Sequence, residues 1–490
     1  MDSFSICANM GSGHSENGAQ IPICIDLDGT LVQGDLFLES ILAALRSNCF
    51  LLLLFPIWLG GGIANLKAKV SAYHCPRPEL LPYNEELLEF LKRKKEEGHK
   101  LYLTTAAAAI HAKQVADHLA LFDGVLASTA RENLKGERKL DAISKLLGAK
   151  TFWYAGNSRA DLLIWRESAG AITVNTARRA ENYLEKRRIP IAARFPKLRS
   201  GWSAAASALR PHQWVKNALV FMPLLLAHQL FRAEKLVAAA IAFAAFSFCA
   251  SSFYVLNDLL DMEADRCHPR KKSRPFASGA LSVADGLLLT ALAAAASVAC
   301  AWFLPVSAQR LLAIYAVVNL CYSVRLKQFL FLDAIVLAFL YTLRLLVGGR
   351  ATHIEISVWT LAFSIFFFLG LALLKRLTEL VSGKNLTLAA ESRRAYTASD
   401  IAPLNSFASS ALYLSVLIAF LYINSPDVAK LYRRPEALWF ISLPLLYWIG
   451  RLLMLANRGL MSDDPIVFAF KDPASYLVGL AILVCALLAT

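Results

Sequence analysis

Residues 235–265 read KLVAAAIAFAAFSFCASSFYVLNDLLDMEAD. From 235 to 256 the stretch is apolar and long enough, at about 1.5 Å per helical residue, to cross the ~30 Å hydrocarbon layer of a bilayer. Acids then arrive together: Asp258, Asp261 and Asp265, with Asn257 just before them. At about 100° per residue, positions i, i+3 and i+7 share one helical face. Three like charges gathered at a membrane boundary are costly unless they are hydrated or bind cations. Oxygen ligands in this arrangement suit Mg²⁺ carrying a diphosphate. The loop that follows brings Arg266, His268, Arg270, Lys271, Lys272 and Arg274, a supply of cations for phosphate oxygens. A hydrated helix cap before an ordinary basic loop would explain those cations but not the alignment of the acids.

Outward from this stretch the apolar pattern continues. Nine segments read as membrane-crossing, at about 217–231, 235–256, 284–304, 308–324, 329–349, 356–374, 404–424, 436–456 and 473–489. The expectation is an all-α membrane domain of about nine transmembrane helices. Loops after the second, fourth, sixth and eighth segments hold fifteen Lys and Arg against eight in the others. The excess of cations on cytoplasmic loops puts the even loops, the acids with them and the amino-terminal domain in the cytosol of a multi-pass inner (plasma) membrane protein. An odd number of spans puts the carboxyl terminus on the far side. Composition agrees, with 57% hydrophobic and 18% charged residues, which excludes a disordered chain and an ordinary soluble enzyme. The net charge of +14 would raise nucleic acid as a partner in a soluble protein. Here most cations flank apolar segments, so anionic membrane lipids and phosphorylated ligands are expected and nucleic acid is not. Nine cysteines without CxxC spacing indicate neither a zinc site nor a disulfide framework.

Towards the amino terminus the composition changes. Residues 1–20 read as a flexible polar tail, and 21–176 as an α/β doubly wound domain with a helical insertion near 41–75. Residues 177–207 read as a basic linker, and 208–490 as the membrane domain. Short apolar runs at Ile21–Ile25, Leu101–Leu103 and Phe152–Ala155 suit strands of a parallel sheet buried on both faces. Within the insertion, Cys49–Ile63 is apolar but holds Pro56 and three consecutive glycines, and is too short to span a bilayer. It reads as a helical insertion or lid, with rest on the membrane surface left open. The first strand runs into Asp26-Leu27-Asp28-Gly29-Thr30, where one carboxylate can act as nucleophile and the next as proton donor. Later come Thr104-Thr105, then Lys139, and last Gly156-Asn157-Ser158-Arg159-Ala160-Asp161.

In that order these resemble the four motifs of the haloacid-dehalogenase-type (HAD) phosphohydrolases. The resemblance implies that Asp26 attacks phosphorus and Asp28 serves as acid and base. It implies that Thr105 and Lys139 hold phosphoryl oxygens, with Mg²⁺ among Asp26, the Asp28 carbonyl and the last motif. Thr104 for Thr105 and Lys135 for Lys139 remain open assignments. The last motif departs from the family pattern, since Asn157 stands where Asp is usual. That loss of a negative ligand weakens a Mg²⁺ site, and Asp161 is the candidate to compensate.

In the membrane half, Asn-Asp-x-x-Asp-x-x-x-Asp after the second segment resembles the UbiA-type intramembrane prenyltransferases, from about Leu209 to Thr490. That resemblance implies Mg²⁺-diphosphate held on Asp258, Asp261 and Asp265 while a C–O bond ionises. In most of the family the loop after segment six carries a second acidic motif. Here it reads Leu374-Lys375-Arg376-Leu377-Thr378-Glu379-Leu380 and continues to Arg393-Arg394-Ala395-Tyr396. Cations in place of acids suit a ligand richer in phosphate than a prenyl diphosphate. Together with Leu209–Asn217, which holds Lys216, and with Tyr322, Lys327 and Asp333, the pattern looks like the branch that makes polyprenyl-phosphoryl-phosphoribose. Its substrates would be phosphoribosyl diphosphate and a polyprenyl phosphate lipid. Lys216, Arg270, Lys271, Arg274, Lys327, Lys375, Arg376 and Arg393 are the candidate phosphate-binding cations, with Asn257, Tyr322, Asp333 and Glu379 beside them. The fused hydrolase would remove the 5-phosphate. Two alternatives stand beside this reading. One is a UbiA-type prenyltransferase using prenyl diphosphate and an aromatic or other small acceptor, and the other is a transporter with a regulatory cytosolic domain.

Overall fold

The computed structural model describes residues 20–130, 132–196, 201–269, 271–381, 396–425, 428, 432–461 and 464–489. The expected tail at 1–20 falls, apart from Gln20, outside the described residues, as do Arg270 and Arg393. The chain forms two compact units, Met1–Leu198 and Arg199–Thr490.

The amino-terminal unit is built on a six-stranded sheet, β1 (Ile23–Ile25), β2 (Leu101–Ala108), β3 (Gly124–Ser128), β4 (Trp153–Gly156), β5 (Gly170–Val174) and β6 (Ile191–Phe195). Their order is β3-β2-β1-β4-β5-β6 and the pairings are parallel. Strand order reverses between β1 and β4, and open parallel sheets bind ligands at the carboxyl ends flanking such a point. In register, Ile25 stands opposite Ala155, so the residues that follow, Asp26 and Gly156-Asn157, emerge side by side. Helices α1 (Leu36–Ser47), α2 (Gly62–Tyr73), α3 (Glu85–Glu96), α4 (Ala109–Leu119) and α5 (Glu137–Leu147) fill the connections. Asp35 caps α1 and Asn84 caps α3, each side chain accepting a backbone N–H of the first turn. Ile23, Ile25, Leu101, Leu103, Ala155 and Ile172 form a core with no exposed surface.

The expected basic linker at 177–207 is corrected by this sheet. Residues Arg178–Lys186 form a helix that buries Ala180 and Leu184, and β6 is an edge strand of the same sheet. Its side chains alternate between half-buried and exposed. An edge strand and an amphipathic helix each need only one apolar face, and the dense Arg and Lys of the other face conceal it in the sequence.

The second unit is helical: α6 (Ala233–Leu260), α7 (Met262–Cys267), α8 (Val283–Ala301), α9 (Val306–Val324), α10 (Leu332–Ala351), α11 (Val358–Val381), α12 (Ile401–Ile423), α13 (Ser442–Asn457) and α14 (Pro473–Ala489). Among the described residues six helices are long and apolar enough to cross a membrane, counting from α6, α8, α10, α11, α12 and α13. A seventh is reached only with the bent pair Leu36–Ser47 and Phe50–Gly60 of the other unit. The expected count of nine is therefore not confirmed among the described residues, and neither is the odd-number placement of the carboxyl terminus. The first expected segment breaks into the 3₁₀ stretch Pro211–Phe221 and the five-residue helix Met222–Leu226, each begun by a proline at its first turn. Gln309, Arg310 and Asn319 dilute α9, and α14 has 17 residues. Helix α10 runs through the centre, with 67% of its apolar window buried. Other helices and their ends leave large side chains exposed, among them Val298, Trp302, Phe303, Leu487 and Leu488. Exposed aliphatic and aromatic residues on this scale fit lipid rather than water.

Candidate functional site

Helix α6 ends at Leu260, Asp261 adopts a turn, and α7 restarts at Met262. This keeps the acids on one side. Asp258 and Asp265 are both buried, and a single nitrogen, Nη1 of Arg274, donates to Asp258 at 3.0 Å and to Asp265 at 2.7 Å. Arg210 donates to both oxygens of Asp258, at 2.5 and 2.7 Å. Lys327 lies 3.4 Å from Asp261. Burial lifts the Asp265 carboxyl to about 6, with Arg274 drawing it back. Lys271 also acts on that carboxyl through its charge.

The donor chemistry fits a divalent cation. Asp258 and Asp265 aim at one position that a positive charge already fills, and the Oδ1 of Asn257 is buried with no hydrogen-bond partner among the described residues. No three Asp, Glu, His or Cys side chains among the described residues already stand around one metal position. Asp258 and Asp265 are gathered around guanidinium groups instead, and Asp261 lies beside the Lys327 ammonium.

The remaining cations divide into two groups. Lys216, which is buried, and Lys375 converge on Asp464 at 2.5 and 3.3 Å. Burial alone would raise Asp464, but Lys375 and Lys216 outweigh it and hold the carboxyl below the usual carboxylate range. The other oxygen of Asp464 caps the helix Pro465–Ala469.

Arg376 belongs to a closed cluster. It donates to Asp333 at 2.6 Å, to both oxygens of Glu379 and to the Tyr322 hydroxyl at 3.1 Å. Asp333 has no exposed surface and accepts a further bond from Tyr396. Arg376, Asp333, Glu379 and Tyr322, expected around phosphate, are thus brought to one another, and most of their polar capacity is used within the cluster. The physical reason is burial, since a guanidinium in the bundle requires its own counter-charges.

In the amino-terminal unit, Asp26 continues β1 and Asp28 follows in a turn made by Gly29 at φ +74°. Asp26 accepts from Lys139 Nζ at 2.9 Å and from the Leu27 N–H. Lys139 reaches it from the first turn of α5, which Gly136 starts at φ +62°. Lys139 also donates to the Tyr154 hydroxyl, which donates in turn to Asp161. Burial, reinforced by Asp35, pushes the Asp28 carboxyl up to about 8. Thr104 and Thr105 are both buried in the middle of β2. The Thr104 hydroxyl donates to Ile25 O, and Thr105 Oγ1 accepts the Ala107 N–H. Asn157 packs so closely on Gly29 that any side chain at 29 would overlap its amide. That places the Asn157 amide, its nitrogen foremost, against the turn that joins Asp26 and Asp28. Asp161, the candidate to compensate, spends one oxygen on Tyr154 and the other on Asn157 N, Ser158 N and Ser158 Oγ. It holds the loop.

Three residues enter the sites without having been singled out for them. Lys67, on α2, donates to Ala106 O at 2.7 Å at the catalytic end of β2, and its charge acts on Asp28. Arg210 and Asp464 are the others. Asp464 before Pro465 is a legible cap-and-proline helix start. The partnerships of Arg210 and Asp464 span 48 and 248 residues of chain and leave no local pattern.

Comparison with known proteins agrees with this division. The profile of the UbiA prenyltransferase family matches residues 217–470, and that of the haloacid dehalogenase-like hydrolases matches 23–166. The uncharacterized protein y4nM of Sinorhizobium fredii is 34% identical over 94% of this chain and 89% of its own length. Nodulation protein NoeC of Azorhizobium caulinodans is 36% identical over 56% of this chain and 90% of its own. Decaprenyl-phosphate phosphoribosyltransferase of Mycolicibacterium smegmatis is 30% identical over 57% of this chain and 90% of its own. The chain is an integral membrane transferase that belongs to the UbiA prenyltransferase family, fused to an amino-terminal haloacid dehalogenase-like phosphatase domain.

Proposed function

We propose that the membrane unit transfers phosphoribose from phosphoribosyl diphosphate to a polyprenyl phosphate in a Mg²⁺-dependent reaction, and that the fused domain removes the 5-phosphate. The observation that carries this is the pairing of Asp258 and Asp265 around one cation position, in a unit where further cations, Lys216, Lys327 and Lys375, each rest on a carboxylate. A relative that aligns over 90% of its length bears the name of that activity.

Mg²⁺ on Asp258, Asp261 and Asp265 would supply charge to the oxygens of a departing diphosphate. The residues of the chain do the rest. The C1–diphosphate bond breaks, positive charge grows at the ribose ring, and a lipid phosphate oxygen bonds to C1. Arg274 and Arg210 already neutralise the acids, and a ligand carrying several phosphates gives both guanidiniums a bidentate partner. Lys216 and Lys375 share one carboxylate between two ammonium groups, which leaves net positive charge for an incoming phosphate. In the hydrolase domain Asp26 attacks phosphorus while Lys139 orients it. Asp28, whose burial favours the protonated carboxyl, donates to the leaving oxygen. Mg²⁺ there would rest on Asp26, the Asp28 carbonyl and Asn157.

The test offers the purified protein two donor–acceptor pairs: radiolabelled phosphoribosyl diphosphate with polyprenyl phosphate, and prenyl diphosphate with hydroxybenzoate. Labelled lipid from the first pair, lost in Asp258→Ala, is the expected result. Product from the second pair alone would replace this reading with aromatic prenylation.

A further inference from the structure

The amino-terminal unit carries an apolar surface outside its sheet. From Cys49 to Leu66 the chain has no charged residue. This run folds as a 3₁₀ turn, Cys49–Leu53, a short helix, Phe55–Gly60, and the start of α2. Phe50, Leu53, Ile57, Leu59 and Ile63 are each more than half exposed, three of them by 70% or more. A contiguous apolar patch of this kind marks an interaction surface.

Three observations select lipid as its occupant. The same chain is an integral membrane protein, so a bilayer is an apolar phase always present beside it. The run points almost no hydrogen-bonding group outward: Asn65 turns back to donate to Trp58 O at 2.9 Å. A protein interface needs about one hydrogen bond per 100–200 Å², whereas acyl chains need none. Third, Leu36–Ser47 and Phe50–Gly60 meet at 117°, so the run cannot cross as one straight helix. Residues 50–60 would reach about 16 Å as a helix, against ~30 Å of hydrocarbon. An apolar element too short to span, with Arg46 before it and Lys69 after it, has the composition of a segment lying in the interface.

The element also adjoins a cleft. Helix α2 lines, through Ala64, Lys67 and Ala68, an open hollow of about 160 Å³ whose other residues include Ala108 and Ser128 at the ends of β2 and β3 and Ile110 on α4. Lys67 ties α2 to the strand carrying Thr105.

We propose that residues 49–63 are an interfacial docking element that lays the mouth of this cleft on the lipid surface, so that a lipid-borne phosphomonoester reaches Asp26 without leaving the bilayer. The nature of that substrate rests on the phosphatase reading above, whereas the docking does not.

The test uses the full-length protein in nanodiscs of phosphatidylethanolamine and phosphatidylglycerol, with benzoylphenylalanine in place of Ile57 or, as a control, of exposed Glu96. After irradiation, mass spectrometry identifies what is attached. A phospholipid adduct at 57 and none at 96 is the expected result. Attachment of 57 to a peptide of this chain or of a second copy overturns the proposal, as does the absence of any adduct. A second arm compares the wild type with the double variant Leu53→Glu, Ile57→Glu. Hydrolysis of a polyprenyl phosphomonoester in the same discs should fall about tenfold or more, the scale set by losing two apolar side chains from lipid. Hydrolysis of water-soluble p-nitrophenyl phosphate should not change. Equal hydrolysis of the lipid substrate by both proteins overturns the proposal. A lipid adduct at 57 without hydrolysis of the lipid phosphomonoester by either protein upholds the docking and removes the phosphatase reading.

Discussion

One guanidinium nitrogen shared by Asp258 and Asp265 makes Arg274 a competitor of any divalent cation for the same oxygens. Arg274→Gln should therefore bind Mn²⁺ about tenfold more tightly, read by electron paramagnetic resonance, because two close carboxylates lose their resident charge. The same variant should raise the apparent KM for the diphosphate donor. Arg376 answers to a different rule. Its removal strands Asp333, which has no exposed surface, and an uncompensated buried charge costs about 3–5 kcal/mol. Arg376→Met should lower the thermal midpoint of the detergent-solubilised protein sharply, whereas Lys375→Met should act mainly on KM. In the hydrolase domain His111 is buried against Ser40, and burial lowers it to about 4. The unfolded chain thus takes up a proton near pH 6.5 before the folded one does, and stability falls as pH drops from about 6.5 towards 4. Between pH 7 and pH 5 the opening of α4, followed by hydrogen exchange, should weaken in the wild type by about 2 kcal/mol relative to His111→Gln.

Among the helices, close approach depends on glycine. A Cβ at Gly348 on α10 would overlap the backbone carbonyl of Val220, which cannot step aside, whereas Gly479 on α14 faces open space. Gly348→Ala should cost about 1–3 kcal/mol or more, and Gly479→Ala nearly nothing, as read by thermal unfolding in detergent. Local patterns announced many of these elements. The Asp26–Thr30 turn, buried β1 and the acids closing α6 each carry their signal within a few residues. Helix Arg178–Lys186 and β6 were hidden because an edge needs only one apolar face. The first apolar run does not form one long helix, because Pro223 interrupts it, and hydropathy registers composition rather than continuity. The pairings of Arg210 with Asp258 and of Lys216 with Asp464 arise only when distant segments pack.

At the scale of the chain, the proposed function sets an order of reactions on one polypeptide: a lipid would gain phosphoribose and then lose the terminal phosphate. Asp26→Asn should abolish phosphate release while lipid labelling from phosphoribosyl diphosphate stays within about twofold of wild type, the range expected when transition-state stabilisation at a separate centre is untouched. All of this depends on the acids at the end of α6 exchanging arginine for metal and diphosphate. The most direct measurement is a density map of the full-length protein with saturating Mg²⁺ and phosphoribosyl diphosphate. The account predicts a metal about 2.1 Å from oxygens of at least two of Asp258, Asp261 and Asp265, with Arg274 turned onto phosphate. Acids still clasped by Arg210 and Arg274 under those conditions, with the diphosphate bound elsewhere, would contradict it.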